Sequence, residues 1–287
     1  MEIKKIMVVG AGIMGQGISL VFARKGLSVI IQDIADEQVK KGLQDIEKNL
    51  DKEINKGDIS LKEKELILKG ITGTTELKEA KNVDFVIEAV TEDIKIKKEI
   101  FRNLDKFCPP DVIFASNTSS LSITEIAQVV SRKDKVIGMH FFNPPTKMEL
   151  IEIVCGKDTA KQTFQTVKRL SEILGKKIVK VKDSPGFIVN RLLIQMINES
   201  CFLLQDGVAN PEEIDLAMQL GARHPLGPLG LADLIGLDVC LSIMETFYQK
   251  FQDSKYKPCP LLKEMVEKGK KGRKTGEGFF KYGTDCR

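Results

Sequence analysis

The apolar run Ile6-Met7-Val8-Val9 is too short for a helix and stops at Gly10; Ile13, Ile18, Val21 and Phe22 then recur at helical spacing. This order predicts strand, turn, helix. Gly26 closes the helix, and a second β-rich run from Leu27 to Ile31 ends at Gln32-Asp33, so the first 33 residues read as one βαβ unit. From Asp36 to about Lys69 the pattern becomes helical and heavily charged, and Ser60-Leu61-Lys62-Glu63 reads as a capping box opening the second helix of a pair. Strands resume at Val83 to Ala89, Val112 to Ser116 and Val136 to Met139, separated by helical stretches at Lys95 to Phe107 and Ser122 to Val130. Such alternation predicts an α/β fold: a doubly wound, mostly parallel sheet.

Leu150 to Val154 alternates as a further strand, Val167 to Leu174 as a helix, and Ile178 to Val181 as a last strand. Beyond Asp183 the character changes. Ser184-Pro185 predicts a cap and a first-turn proline, and Ile188, Leu192, Leu193, Met196 and Ile197 mark a long amphipathic helix. Little strand signal follows. The chain therefore divides into residues 1–183, a dinucleotide-binding domain with a charged helical pair at about 36–69, and residues 184–287, a smaller all-helical domain.

Composition adds limits. Forty-four Lys and Arg against 40 Asp and Glu give a net charge of only +4, with signs interleaved, which is too mild for a nucleic-acid partner but compatible with an anionic small molecule. Cys108, Cys155, Cys201, Cys240, Cys259 and Cys286 are scattered without a C-x-x-C pair, so neither a disulfide framework nor a metal site is expected. The chain enters a strand within a few residues of Met1 and has no run of roughly 18 apolar residues, so the expectation is a cytoplasmic protein with no membrane partner.

The chemistry begins at Gly10-Ala11-Gly12-Ile13-Met14-Gly15, a G-x-G-x-x-G between strand and helix. Without side chains at Gly10 and Gly12 the backbone can approach a pyrophosphate at the helix N-terminus, while Gly15 allows close helix-strand packing. Asp33, at the end of the second strand, is in place to accept hydrogen bonds from ribose hydroxyls and would repel a 2′-phosphate; the cofactor is expected to be NAD. The only histidines are His140 and His224. His140 lies at the carboxyl end of a strand, and Glu152 lies on another strand in a position where a carboxylate is costly unless paired. A catalytic His-Glu pair and two separate structural residues both fit this pattern. Ser119 follows another strand end and is either turn chemistry or a hydroxyl at the same sheet edge, with Ser122 and Glu125 reading as a capping box just beyond; His224, before Pro225, reads as structural.

Four strings carry a resemblance that runs essentially end to end: Asn117-Thr118-Ser119-Ser120, His140-Phe141-Phe142-Asn143-Pro144, Asp183-Ser184-Pro185-Gly186-Phe187-Ile188-Val189-Asn190-Arg191, and Lys274-Thr275-Gly276-Glu277-Gly278-Phe279. With them the chain resembles the short-chain L-3-hydroxyacyl-CoA dehydrogenases, and among these the bacterial 3-hydroxybutyryl-CoA enzymes. The resemblance implies interconversion of (S)-3-hydroxybutyryl-CoA and acetoacetyl-CoA with NAD(H), in butanoate or fatty-acid metabolism. It implies His140 as general base, Glu152 as its partner, and Ser119 and Asn190 as groups that bind the substrate oxygens. Glu92, Lys97, Asn117, Ser119, Asn143 and Lys274 would line the cofactor site beside Asp33, and Asn49, Lys52 and Lys56 would contact coenzyme A, Asn49 standing where relatives carry a hydroxyl. It also implies a Rossmann-like NAD-binding domain with an appended helical domain that dimerises, the substrate lying in the cleft between them, giving a homodimer or higher assembly. The competing readings are a 3-hydroxyacid dehydrogenase of another class, which uses a catalytic lysine, and a non-catalytic NAD-binding protein on the same scaffold.

Overall fold

The computed structural model describes residues 3–283, so Cys286 lies outside the described residues. It divides into two compact units that meet in sequence between Phe187 and Ile188.

The first unit is built on eight strands: β1 (Lys5–Val9), β2 (Ser28–Gln32), β3 (Ile71–Thr74), β4 (Phe85–Glu88), β5 (Ile113–Ser116), β6 (Val136–Phe141), β7 (Leu150–Cys155) and β8 (Lys177–Lys182). Around them lie α1 (Ile13–Ala23), α2 (Asp36–Lys56), α3 (Leu61–Lys69), α4 (Ile94–Phe107), α5 (Ile123–Ala127) and α6 (Lys161–Ile173). The sheet order is β3-β2-β1-β4-β5-β6-β7-β8, parallel through β6, with β7 antiparallel to β6 and β8 parallel to β7. Strand order therefore reverses between β1 and β4, and an open parallel sheet offers its ligand crevice beyond the carboxyl ends of the strands at such a point. The central strands β1, β4 and β5 are almost wholly buried, which is why they read as unbroken apolar runs. One buried cluster covers each face of the sheet.

Several elements differ from the expectation. Ile71-Thr-Gly-Thr is an edge strand that the apolar pattern hid, because only Ile71 is buried. β6 runs on through His140 to Phe141, so the histidine sits inside the strand rather than after it. Only half of the Ser122 capping box forms: Ser122 accepts from the Glu125 N–H, but the Glu125 carboxylate is taken by Lys98 and the Ser122 hydroxyl donates to Asp183. The Ser60–Glu63 box forms in full. α6 starts at Lys161, well before Val167.

The second unit is helical: α7 (Val189–Gln205), α8 (Pro211–Gly221), α9 (Pro228–Ile235), α10 (Leu237–Phe251) and α11 (Pro260–Glu267). They enclose a core that includes Ile197, Cys201, Leu229, Met244 and Phe247. Pro185 is not in the first turn of α7. Gly186 and Phe187 both take positive φ, at 73° and 51°, so the chain turns there and the helix begins only at Val189. Asp233, almost fully buried, accepts from the Phe279 and Phe280 N–H groups and the Tyr282 hydroxyl, pinning the C-terminal segment of the unit.

Candidate active site

β1 delivers Gly10 to the sheet edge with φ at +108°, and a Cβ there would meet the Ala89 carbonyl oxygen at 2.7 Å. A Cβ on Gly15 would stand 1.8 Å from the Gly10 oxygen, so α1 can approach the loop this closely only with glycine at position 15. A Cβ on Gly12 would meet nothing within 4 Å; the space beside it is open. Gly12 is also the N-cap of α1, and neither a capping side chain nor an acidic residue occupies the first turn. The N-terminal N–H groups of the helix thus face an open concavity, a fit for a pyrophosphate.

Asp33 is tied into the same loop. One of its oxygens accepts from the Ala11 N–H and the other from the Ile34 N–H, both at 2.8 Å. A carboxylate has about four acceptor positions, so each oxygen keeps capacity for a ribose hydroxyl. These features fit NAD, and the negative charge of Asp33 disfavours a phosphorylated ribose.

His140 and Glu152 stand directly opposite each other in the antiparallel β6–β7 ladder. Their side chains share a sheet face, and His140 Nδ1 lies 2.8 Å from Glu152 Oε2. A carboxylate only accepts, so Nδ1 carries the proton, and in the neutral ring Nε2 is left with the lone pair. Glu152 is fully buried and His140 is 6% exposed, with Phe142 and Phe187 rings at 4.5 and 5.7 Å from the imidazole. The arrangement can take up a proton at Nε2 and spread the resulting charge onto Glu152.

Ser119 lies in the turn after β5, and Glu92 collects that turn. One Glu92 oxygen accepts from Thr118 Oγ1 at 2.6 Å, from the Ser119 and Ser120 N–H groups at 2.9 and 3.0 Å, and from Ser119 and Ser120 Oγ at 3.3 and 3.0 Å. Partial burial pushes the Glu92 carboxyl up, but the Lys97 ammonium and the Thr118, Ser119 and Ser120 donors outweigh it and hold the group below the usual carboxylate range. Asn117 Oδ1 accepts from the Phe141 N–H at 2.8 Å and so fastens the turn to the residue after His140. Glycine loop, Ser119 turn and His-Glu pair all occupy the carboxyl-end edge of the sheet.

Lys97, expected at the cofactor site, stands behind Glu92. It is 1% exposed, and its ammonium reaches Glu88 at 2.6 Å, the Val90 oxygen at 3.3 Å and Glu92 at 3.4 Å, which uses all three donors one layer beneath the surface. Glu88 and Ser116, which bond each other at 2.6 Å, went unnoticed in the sequence. The signal was present: Glu88 closes an otherwise apolar strand, as anomalous a carboxylate as Glu152.

Beside the glycine loop, a cleft of about 520 Å³ brings Ile13, Asn49, Lys52 and Lys56 together with Asn143 and Lys147. Lys48, Lys52 and Lys56 recur at i, i+4 and i+8 on α2, one exposed basic row. A larger groove of about 810 Å³ lies at the other end of β1 and β2, lined by Leu27, Leu170 and Ile173 among others, away from all of this chemistry. Asn190 and Lys274 belong to the second unit: Asn190 sits in the first turn of α7, and Lys274 pairs with Asp238 of α10. His224 donates its backbone N–H to Met218 after the end of α8.

The family model of the 3-hydroxyacyl-CoA dehydrogenase NAD binding domain matches residues 5–184, and that of the 3-hydroxyacyl-CoA dehydrogenase C-terminal domain matches residues 186–282. The chain is 50% identical over 278 residues to a 3-hydroxybutyryl-CoA dehydrogenase of Clostridioides difficile, covering 97% of this chain and 99% of that one. It is 40% identical to the human mitochondrial hydroxyacyl-coenzyme A dehydrogenase, over 98% of this chain and 91% of the relative. The crystal structure of (S)-3-hydroxybutyryl-CoA dehydrogenase from Ralstonia eutropha superposes with a TM-score of 0.96 at 47% identity, covering 99% of this chain and 100% of that one. With both halves matched in order and the glycine loop, Asp33 and His-Glu pair in place, the chain belongs to the 3-hydroxyacyl-CoA dehydrogenase family.

Proposed function

We propose that this chain is an NAD-dependent dehydrogenase that interconverts (S)-3-hydroxybutyryl-CoA and acetoacetyl-CoA. The observation that carries the reading is the His140–Glu152 pair at the ligand edge of the sheet, in a chain 50% identical to a 3-hydroxybutyryl-CoA dehydrogenase. Bound NAD(H) supplies the hydride acceptor or donor; the chain's own residues handle the proton. In the oxidising direction, His140 Nε2 accepts the proton of the 3-hydroxyl while Glu152 steadies the imidazolium, and in reduction the same proton returns to the 3-oxygen. Ser119 hydrogen-bonds that oxygen. Phe142 and Phe187 shield the imidazole from water.

The cofactor is held by the N–H groups at the start of α1 and by Asp33, with Glu92, Lys97, Asn117, Ser119 and Asn143 as further candidates from the first unit and Lys274 from the second. Asn190, of the second unit, is assigned to the substrate oxygens on the family resemblance. The coenzyme A moiety is assigned to the basic row of α2, through Lys52 and Lys56 with Asn49 between them.

The chain acts as a homodimer or higher assembly; exposed apolar side chains of the second unit, Leu216 at 53% and Leu220 at 74% on one face of α8, support this. It works in the cytoplasm, a reading supported by the free state of the cysteines among the described residues, at positions 108, 155, 201, 240 and 259. No helix among the described residues is long and apolar enough to cross a membrane.

The test is NADH oxidation with acetoacetyl-CoA, with NADPH and free acetoacetate in parallel. Turnover with NADH and the thioester, and little with either alternative, is expected. Bound NADH without turnover would leave a non-catalytic NAD-binding protein.

A further inference from the structure

Glu88 ends β4 with no exposed surface, and both of its oxygens are engaged. Oε1 accepts from Lys97 Nζ at 2.6 Å and from the Val90 N–H at 2.7 Å, while Oε2 accepts from Ser116 Oγ at 2.6 Å. Apolar residues of similar volume usually replace a buried ion pair without loss of stability, so stability alone does not account for charges at this depth. What Glu88 touches does account for them. Ser116 Oγ accepts in turn from the Thr118 N–H at 3.3 Å, and Lys97 reaches on to Glu92, whose free end gathers Thr118, Ser119 and Ser120. Two routes, one on each oxygen, therefore run from Glu88 to the turn that carries Ser119.

We propose that Glu88 is a positioning residue for the Ser119 hydroxyl: from beneath the site it fixes Ser116 and the Lys97–Glu92 pair, and these fix the Thr118–Ser120 turn. The proposal rests on the reading of Ser119 as a group that binds the substrate oxygen. Lys97 bridges two carboxylates, and without the Glu88 charge it shifts toward Glu92, dragging the turn with it. Glu88 touches no reacting atom in this account: its effect on kcat runs through Ser119, and any change in KM for NADH runs through Glu92.

The test is a double-mutant cycle on the whole protein, comparing wild type, Glu88→Gln, Ser119→Ala and the double variant in steady-state reduction of acetoacetyl-CoA by NADH. Glu88→Gln is expected to lower kcat, read at saturating NADH, by up to about 100-fold, the scale of a small misplacement of a reacting group. In the Ser119→Ala background the same change is expected to lower kcat no further. An equal loss in both backgrounds means that Glu88 supports the fold generally and overturns the proposal while leaving the reading of Ser119 intact. Full kcat in Ser119→Ala removes the reading of Ser119 and the proposal with it. If Glu88→Gln does not yield folded, NADH-binding protein, Ser116→Ala, which cuts only the shorter route, replaces it in the cycle; additivity with Ser119→Ala then overturns the proposal.

Discussion

At the scale of single residues, the chemistry depends on where one proton sits. With Nδ1–H committed to Glu152, His140 offers a lone pair at Nε2 without any proton shuffling. His140→Ala should therefore cut turnover by about 10²- to 10⁴-fold, the usual share of a general acid-base group, while fluorescence titration shows NADH still bound. Glu152 asks for two variants. Glu152→Ala leaves the buried Nδ1–H without an acceptor and should cost about 1–3 kcal/mol of stability, read from the urea midpoint. Glu152→Gln keeps a hydrogen-bonding group there but loses the charge that steadies the imidazolium, so kcat should fall with a smaller change in the midpoint. Both residues stood out in the sequence, each as an unusual side chain on an apolar strand. Their pairing was one of two readings that the sequence left open, because it depends on the β6–β7 register, which is set across an eight-residue connection rather than by a short turn of known geometry.

Between residue and domain, the elements that could be read were those whose burial is one-sided or complete. β1, β4 and β5 announced themselves as apolar runs, α2 as a charged amphipathic helix, and the glycine loop by its place between strand and helix. β3 was not legible, since an edge strand with one buried residue has no pattern to show, and the late start of α7 depends on Phe187 adopting a positive φ that no propensity predicts. Networks beneath the surface were equally hidden: Lys97 looks like any helix lysine until β4 and β5 bring Glu88 and Ser116 under it. The row on α2 is the element with the most direct functional test. Lys52→Ala with Lys56→Ala should raise KM for acetoacetyl-CoA and weaken its dependence on salt, because exposed charges act through a screened attraction. Turnover of a truncated acetoacetyl thioester lacking the nucleotide should be unaffected. An unchanged KM for acetoacetyl-CoA would show that these lysines are merely a solvated face.

Across the whole molecule, the two units hold carboxylates of opposite character. Glu92, in the first, has its pKa lowered by Lys97 and the hydroxyl and N–H donors of the Ser119 turn despite partial burial. Its folded value lies below the unfolded one near 4.3, so its stabilisation is present above that pH and is lost as pH falls through the folded value. Asp233, in the second, has its pKa raised by burial, which outweighs the Phe280, Phe279 and Tyr282 donors. Its folded value lies above the unfolded one near 3.9, so ionisation costs the folded state more, and stability is lost as pH rises from the unfolded value through the folded one. The two substitutions should therefore show opposite pH slopes. The stability gap between wild type and Glu92→Gln should narrow on acidification, whereas that between wild type and Asp233→Asn should widen, since the neutral acid form of Asp233 carries no desolvation cost that the amide avoids. Urea midpoints of the three proteins at a series of pH values from neutral downward measure both gaps. Parallel slopes would mean that the donors around Asp233 outweigh its burial, and that its three hydrogen bonds hold the C-terminal segment by charge as Glu92 holds the Ser119 turn.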